Sequence, residues 1–291
     1  MDGPAAEATS FTYAFQPQDR CNMCAAPVAD AAETLGKRLG RRQGLRPRRQ
    51  VGVTTTVQRC TSCGLIFSNP TPVPKSLGQH YDVPVESYWT RDLSVADAYF
   101  ARQIETFRSL WQAGEESDAV VLDIGAGVGR AMASLERAGF DVFGLEPSAP
   151  FREVAIDRNG ISPDRLSPAS VEEAGYADAS FDFVTFGAVL EHLLDPAGCL
   201  ERALRWTRPG GLVHVEVPSA DWLVARMLDL AYRVQGLDYT THLSPMHSPF
   251  HLYEFTLTSF ERHAERAGYE IASHRRLVAD PYAPGPAPSP S

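Results

Sequence analysis

The 291-residue chain predicts an α/β protein: a doubly wound, mostly parallel sheet preceded by a small cysteine-bearing module. Three observations predict it. From about residue 94, short apolar runs alternate with helical patterns of ten to fifteen residues, the signature of βαβ units. Those runs are continuous rather than alternating, as in strands covered on both faces. Ahead of them, four of the five cysteines form two tight pairs, Cys21-Asn-Met-Cys24 and Cys60-Thr-Ser-Cys63.

The elements follow in order. Val51, Val53, Thr55 and Val57 alternate and read as a strand leading into Cys60. Ser94 is placed to cap a helix to about Gln112, with Ala98, Phe100, Ile104, Phe107 and Leu110 or Trp111 near helical spacing. Next come a strand over residues 119–124, a helix Val128–Ala138, a strand Asp141–Leu145, a helix Pro150–Asn159 and a short strand Asp164–Ser167. FDFVTFGAV (181–189) is a strongly apolar strand, followed by a helix Pro196–Thr207 and a strand over 212–217. Residues 219–235 predict an inserted helix carrying Trp222, Leu223, Met227 and Leu230, either a lid or a packing helix. The expected boundaries are a cysteine module over 1–70, a proline-bearing linker over 71–93, the α/β domain over 94–279 and a disordered proline-rich tail over 280–291.

Composition narrows the function. Apolar residues make up 44% and charged residues 22%, which excludes wholesale disorder. No run approaches the roughly 18 apolar residues needed to span a bilayer. The first twenty residues have neither a basic start nor an apolar stretch, so the expectation is a cytoplasmic protein. A net charge of −9 argues against a nucleic-acid coat protein. Residues 36–50 hold seven of the 27 basic residues and no acid, and read as a solvated loop or a patch for an anionic partner.

In a reducing compartment, paired CxxC knuckles point to zinc rather than to disulfides. Cys21, Cys24, Cys60 and Cys63 would supply four thiolates, closing the tetrahedral shell of a structural site. Gly64 lets the second knuckle turn sharply. Cys199 stands alone and reads as a small buried hydrophobe.

The most informative run is Val121-Leu-Asp-Ile-Gly-Ala-Gly-Val-Gly-Arg130, where a strand ending in an acid meets a glycine turn and a helix. Such a turn exposes amides and admits a ligand closely. Its GxGxG spacing departs from the dinucleotide pattern, and Asp123 would oppose a pyrophosphate. The acid suits a cationic amine instead. Glu146, after the second strand, stands where a carboxylate grips ribose hydroxyls. Together they point to a nucleoside ligand with an ammonium group and no phosphates.

Here the sequence resembles the class I, Rossmann-like, S-adenosylmethionine-dependent methyltransferases. The resemblance rests on VLDIGAGVGR, GLEPS, SFDFVTFGAVLEHLLDP, RPGGLVHVEVPS and FHLYEFTLTSFERHAERAGYE, covering about residues 119–272. It implies a sheet of six to seven strands. Upstream, CTSCGLIFSNPTP is similar to a bacterial subgroup with an N-terminal zinc knuckle, several members of which act in natural-product or deoxysugar biosynthesis. By this resemblance, Asp123, Gly125, Ala126, Gly127 and Gly129 hold the methionine end of the cofactor. Glu146, beside Pro147, takes the ribose diol; Ser170 stands at the adenine position where the family usually has an acid, so adenine recognition falls to the Val171 backbone or to Glu172. Gly187 completes the cradle, and Tyr81 or Tyr88 closes over it. His192 is the first candidate for a general base, with Glu191 orienting it or acting itself. His242, His247 and His251 read as loop histidines or as a further metal or base site.

The resulting expectation is methyl transfer to a small-molecule acceptor, oxygen first and carbon close behind. An RNA methyltransferase and a non-catalytic zinc-ribbon protein are the alternatives. The sequence leaves the oligomeric state open.

Overall fold

The computed structural model describes residues 12–40, 43–47, 52–75, 85, 99–111 and 119–277. In chain order its elements are β1 (Tyr13–Gln16), α1 (Val28–Ala31), β2 (Ala32–Leu39), β3 (Thr54–Cys60), β4 (Ile66–Ser68) and β5 (Thr71–Pro74). After these come α2 (Ala101–Leu110), β6 (Val120–Ile124), α3 (Arg130–Arg137), β7 (Asp141–Leu145), α4 (Ala149–Asp157) and β8 (Leu166–Ser167). The chain continues through β9 (Phe181–Gly187), α5 (Pro196–Trp206), β10 (Thr207–Glu216), α6 (Leu223–Val234), β11 (Tyr253–Glu254) and α7 (Leu257–Ala267).

Five parallel strands form the central sheet in the order β10-β9-β6-β7-β8. The order reverses between β6 and β9, which opens a crevice at their carboxyl ends, the place where ligands bind in such sheets. The described sheet has five strands against the six to seven expected, and no antiparallel strand joins it among the described residues. Residues 164–167 give only two residues of strand, because Pro163–Arg165 form a 3₁₀ turn first. β10 starts earlier than expected, at Thr207, with a register shift before Leu212.

The cysteine module is tied into this sheet. β11, from the far end of the chain, pairs antiparallel with β4, so a four-stranded sheet β11-β4-β3-β2 joins the two ends of the protein. Cys21, Met23, Cys60, Leu65 and Phe67 share one core with Leu122, Ile124, Phe186, Leu190 and Trp206. Burying Met23, Leu65 and Phe67 contributes about 1.5–3 kcal/mol each, so the shared core is a substantial adhesive. Part of the basic run is strand rather than loop. Lys37 lies in β2 and pairs with Asp238 at 2.7 Å, while Arg38 donates through Nε to the Leu243 carbonyl at 2.8 Å. Residues 41, 42 and 48–50 of that run, the tail from 278 onward, and Tyr81 and Tyr88 lie outside the described residues.

The inserted helix α6 turns opposite to its hydrophobic pattern. Trp222, just before it, and Leu223, Met227 and Leu230 within it are exposed, whereas Ala225, Asp229 and Tyr232 are buried. The reason is polar. Asp229 accepts hydrogen bonds from the Thr240 hydroxyl at 2.7 Å and the Thr241 amide at 2.8 Å, and the Tyr232 hydroxyl donates to the Gly44 carbonyl at 2.6 Å. A satisfied buried carboxylate can set the orientation of a short helix against its apolar stripe.

Candidate functional site

Four carboxylates stand at successive strand ends on one edge of the central sheet. Asp123 lies in β6, Glu146 directly follows β7, Glu191 sits in the turn after β9, and Glu216 ends β10. Each comes from a different strand, so only the parallel topology gathers them. Asp123 is almost fully buried, and burial, aided by the Glu146 charge, pushes its carboxyl up to about 8. Burial also raises Glu146, while amide donors from Ser148 and Gly127 pull it back. Asp123, Glu146 and Glu191 are buried while Glu216 is exposed, and such crowding of buried acids is the arrangement of a site for a cation.

The glycine turn closes against this edge. Gly125 has φ +67°, and a Cβ there would come within 2.5 Å of Val189 Cγ2. Only glycine fits both the conformation and the contact. Glu146 holds the turn from the second strand: the Gly127 amide donates to one carboxylate oxygen at 2.7 Å and the Ser148 amide to the other at 2.8 Å. The Ala126 amide donates to the Leu145 carbonyl at 2.9 Å. Glu146 therefore has a positioning role that the sequence reading did not foresee. Pro147 follows in the same bend. Gly187 ends β9 opposite Glu216 with nothing within 4 Å of its Cβ position, leaving the room a bound group needs. Ser170 and buried Val171 lie in the loop after β8, where the Ser170 amide is 3.3 Å from Glu173 Oε2.

Leu190–His192 form a 3₁₀ turn between β9 and α5. Glu191 is buried, and burial, reinforced by Glu216, raises its carboxyl to about 8. His192 Nε2 lies 3.8 Å from Glu191 Oε1, beyond hydrogen-bond length, while its Nδ1 is 3.3 Å from the Phe250 carbonyl oxygen. The imidazole is thus oriented by backbone of the 241–251 loop. The three histidines of that loop have different surroundings. His251 approaches Glu191, with Nε2 at 3.9 Å from Oε1, and its ring centroid is 5.0 Å from that of His192. His242 is buried with Nδ1 at 2.5 Å from Glu254 Oε2 and Nε2 at 3.8 Å from Asp229 Oδ2, binding α6 to β11. His247 lies 3.3 Å from Arg38, and burial together with that guanidinium lowers its imidazole to about 4.

The four knuckle cysteines converge. Cys21 Sγ is 3.5 Å from Cys63 Sγ, and Cys24 Sγ is 3.6 Å from Cys60 Sγ. All four sulfurs lie within 4.8 Å of one another, and none is in a disulfide. Tetrahedral Zn–S bonds of about 2.3 Å need sulfurs roughly 3.8 Å apart, so the donor set and its spacing fit zinc. Gly64 takes φ +80° in the second knuckle, where an added Cβ would meet Thr256 Cγ2 at 2.8 Å. Ala25 takes the corresponding left-handed conformation after the first, at φ 58°. Cys199 is buried on α5, as expected.

Tyr99 is a site neighbour that sequence reasoning missed. The Arg130 guanidinium lies 4.2 Å above its ring, and the Asp123 charge acts on its hydroxyl. The available signal was the Tyr99-Phe100 pair just before α2, of which the sequence pattern places only Phe100 on the helical face.

A family model described as a methyltransferase domain matches residues 96–274. A ubiquinone biosynthesis O-methyltransferase of Azorhizobium caulinodans is 28% identical over 215 residues, 72% of this chain and 79% of that protein. An uncharacterized methyltransferase of Mycobacterium sp. strain KMS is 37% identical over 106 residues, 35% of this chain and 41% of its own length. Among solved structures, a SAM-dependent methyltransferase from Methanosarcina mazei is similar at 18% identity and a TM-score of 0.46, covering 62% of this chain and 90% of that one.

Proposed function

The chain belongs to the methyltransferase-domain family and is an S-adenosylmethionine-dependent methyltransferase of class I, and from that premise we propose that it methylates a hydroxyl of a small biosynthetic molecule. The observation that carries this reading is the row of four carboxylates beside the glycine turn. It suits a nucleoside bearing a sulfonium and an ammonium and disfavours a pyrophosphate. Asp123 and the turn Gly125–Gly129 would hold the cationic end, Glu146 the ribose diol, and Ser170 and Val171 the adenine. The bound cofactor supplies a methyl group made electrophilic by the sulfonium.

The chain's own part is to align the acceptor, exclude water and take a proton. Glu191 and His192 flank the acceptor end, and a carboxyl raised to about 8 is matched to proton transfer near neutral pH. An acidic carbon acceptor would be served by the same groups. Lys37 and Arg38 are engaged within the protein, which weighs against the basic run as an RNA platform. The four cysteines would hold a structural zinc, with no coordination position left for chemistry. The name of the Azorhizobium relative agrees with an oxygen acceptor.

Calorimetry with S-adenosylhomocysteine, followed by labelled-cofactor assays on a panel of hydroxylated acceptors, tests the proposal. Binding that Glu146→Ala weakens, and label on oxygen, are expected. Absence of binding overturns the assigned cradle, and label only on RNA overturns the acceptor class.

A further inference from the structure

Glu191, His192 and His251 converge although His251 lies 59 positions beyond His192 in the chain. The Leu252 amide donates to the Glu191 carbonyl at 2.9 Å, which fixes the loop bearing His251 against the 3₁₀ turn bearing the other two. His192 Nε2 and His251 Nε2 lie 3.8 and 3.9 Å from the same oxygen, Glu191 Oε1. One donor atom from each residue falls within 4.8 Å of the others. Bonds of about 2.1 Å to a metal place neighbouring donors roughly 3.0–3.4 Å apart, so the two imidazole–carboxylate distances need to shorten by about half an ångström.

Two independent observations point to a ligand here. Glu191 Oε2 is buried and has no hydrogen-bond partner, and the Glu191 side chain is 1% exposed. Among the described residues no lysine or arginine forms an ion pair with it. A carboxylate so placed needs a cation or a proton. In addition, the Phe250 carbonyl lies 3.3 Å from His192 Nδ1, the partner that commonly fixes a metal-binding imidazole through its far nitrogen and leaves Nε2 as the donor.

We propose that Glu191, His192 and His251 form a second metal site, distinct from the four cysteines, that binds a divalent first-row cation at the acceptor end of the cleft. Two imidazoles and one carboxylate occupy one face of the cation and leave positions open for the acceptor. A cation there would lower the pKa of an acceptor hydroxyl toward neutrality. This deepens the assignment of the acceptor end made under Proposed function and rests on it for the role, but not for the binding; with the cation bound, Glu191 and His192 would act on the acceptor proton through the metal instead of as free bases.

The test uses full-length, zinc-replete protein titrated with Co²⁺, followed by visible absorption and by metal analysis after dialysis. The expected result is about one cobalt beyond the zinc, with the weak visible bands of nitrogen and oxygen ligation and no thiolate-to-cobalt charge transfer. Glu191→Gln and His251→Ala should each bind that cobalt at least about tenfold more weakly while retaining zinc and S-adenosylhomocysteine binding. The proposal is overturned if wild-type protein takes up no second metal, or if His251→Ala binds cobalt as tightly as wild type; the cluster is then a hydrogen-bonding and packing arrangement. Loss of S-adenosylhomocysteine binding in wild type would instead overturn the cofactor cradle and leave the cobalt result intact.

Discussion

Asn22, inside the first cysteine knuckle, donates its side-chain amide to Asp195 at 2.8 Å and accepts the Ala197 amide at 2.8 Å. Asp195 is the N-cap of α5, where it also accepts the Gly198 amide at 3.1 Å. A knuckle residue thus completes the cap of the helix that begins just after Glu191 and His192. Arg266 of α7 donates to the Met23 carbonyl at 2.6 Å, and the Thr256 hydroxyl to the Cys63 carbonyl at 2.6 Å. Both knuckles are therefore fastened to the catalytic half of the chain.

Replacing Asn22 with Ala removes both bonds at the helix start. The expected cost is about 1 kcal/mol, seen as a fall of roughly 2–4 °C in melting temperature. Hydrogen exchange should quicken in residues 190–200 more than in β6 or β7. Uniform exchange changes across the protein would contradict the coupling.

The cysteine cluster predicts about one zinc per chain by elemental analysis. Cys60→Ser should lose it and destabilise β3, β4 and β11 together, because those strands share a sheet. A folded wild type free of metal after preparation in zinc-containing medium would refute the assignment.

Asp123 predicts the pH dependence of cofactor binding. Its value near 8 lies above the ordinary carboxyl range, so the cofactor-free protein keeps the proton until the pH rises through about 8. A ligand ammonium favours the carboxylate, so binding below that pH releases a proton. Affinity for S-adenosylhomocysteine should rise with pH, by up to about tenfold per unit for one proton, and level off above 8. Calorimetry in two buffers of different ionisation enthalpy measures the release directly, and Asp123→Asn should abolish it.

His192→Ala should lower turnover by about 10² to 10⁴-fold with nearly unchanged cofactor affinity. Glu191→Gln should cost less if the carboxylate only supports the imidazole, and as much or more if it takes the proton itself. Steady-state rates with the acceptor found in the panel, alongside cofactor calorimetry, separate the two. Wild-type rates in both variants would move proton transfer elsewhere.

Gly125→Val should abolish cofactor binding while leaving the far edge of the sheet folded. The added side chain meets Val189 and also requires a disfavoured positive φ. Binding at wild-type strength would show that the turn is not the cradle.

Much of this protein is legible in local sequence. The apolar runs at 119–124, 141–145 and 181–189 became β6, β7 and β9, because a buried parallel strand needs continuous apolar residues. The acid and glycines of VLDIGAGVG mark the turn through their φ requirements, and CxxC spacing marks the knuckles through thiolate reach. These are short-range signals, carried by a few adjacent residues. Pairing partners were not legible: nothing near Tyr253 announces that it pairs with Phe67, and nothing near Asn22 announces that it caps a helix 173 residues away. The same holds for α6, whose apolar stripe suggested the buried face until Thr240 and Thr241 supplied partners for Asp229. Of the three loop histidines, only His251 reaches Glu191, because β11 pairing and the Leu252 bond place it there. Local composition by itself determined the strands of the central sheet, the glycine turn and the cysteine pairs of this chain, but not β1, β2, β4, β5 or β11. Tertiary structure alone decided which of them meet, since a buried carboxylate or amide takes whatever partner the folded backbone carries to it.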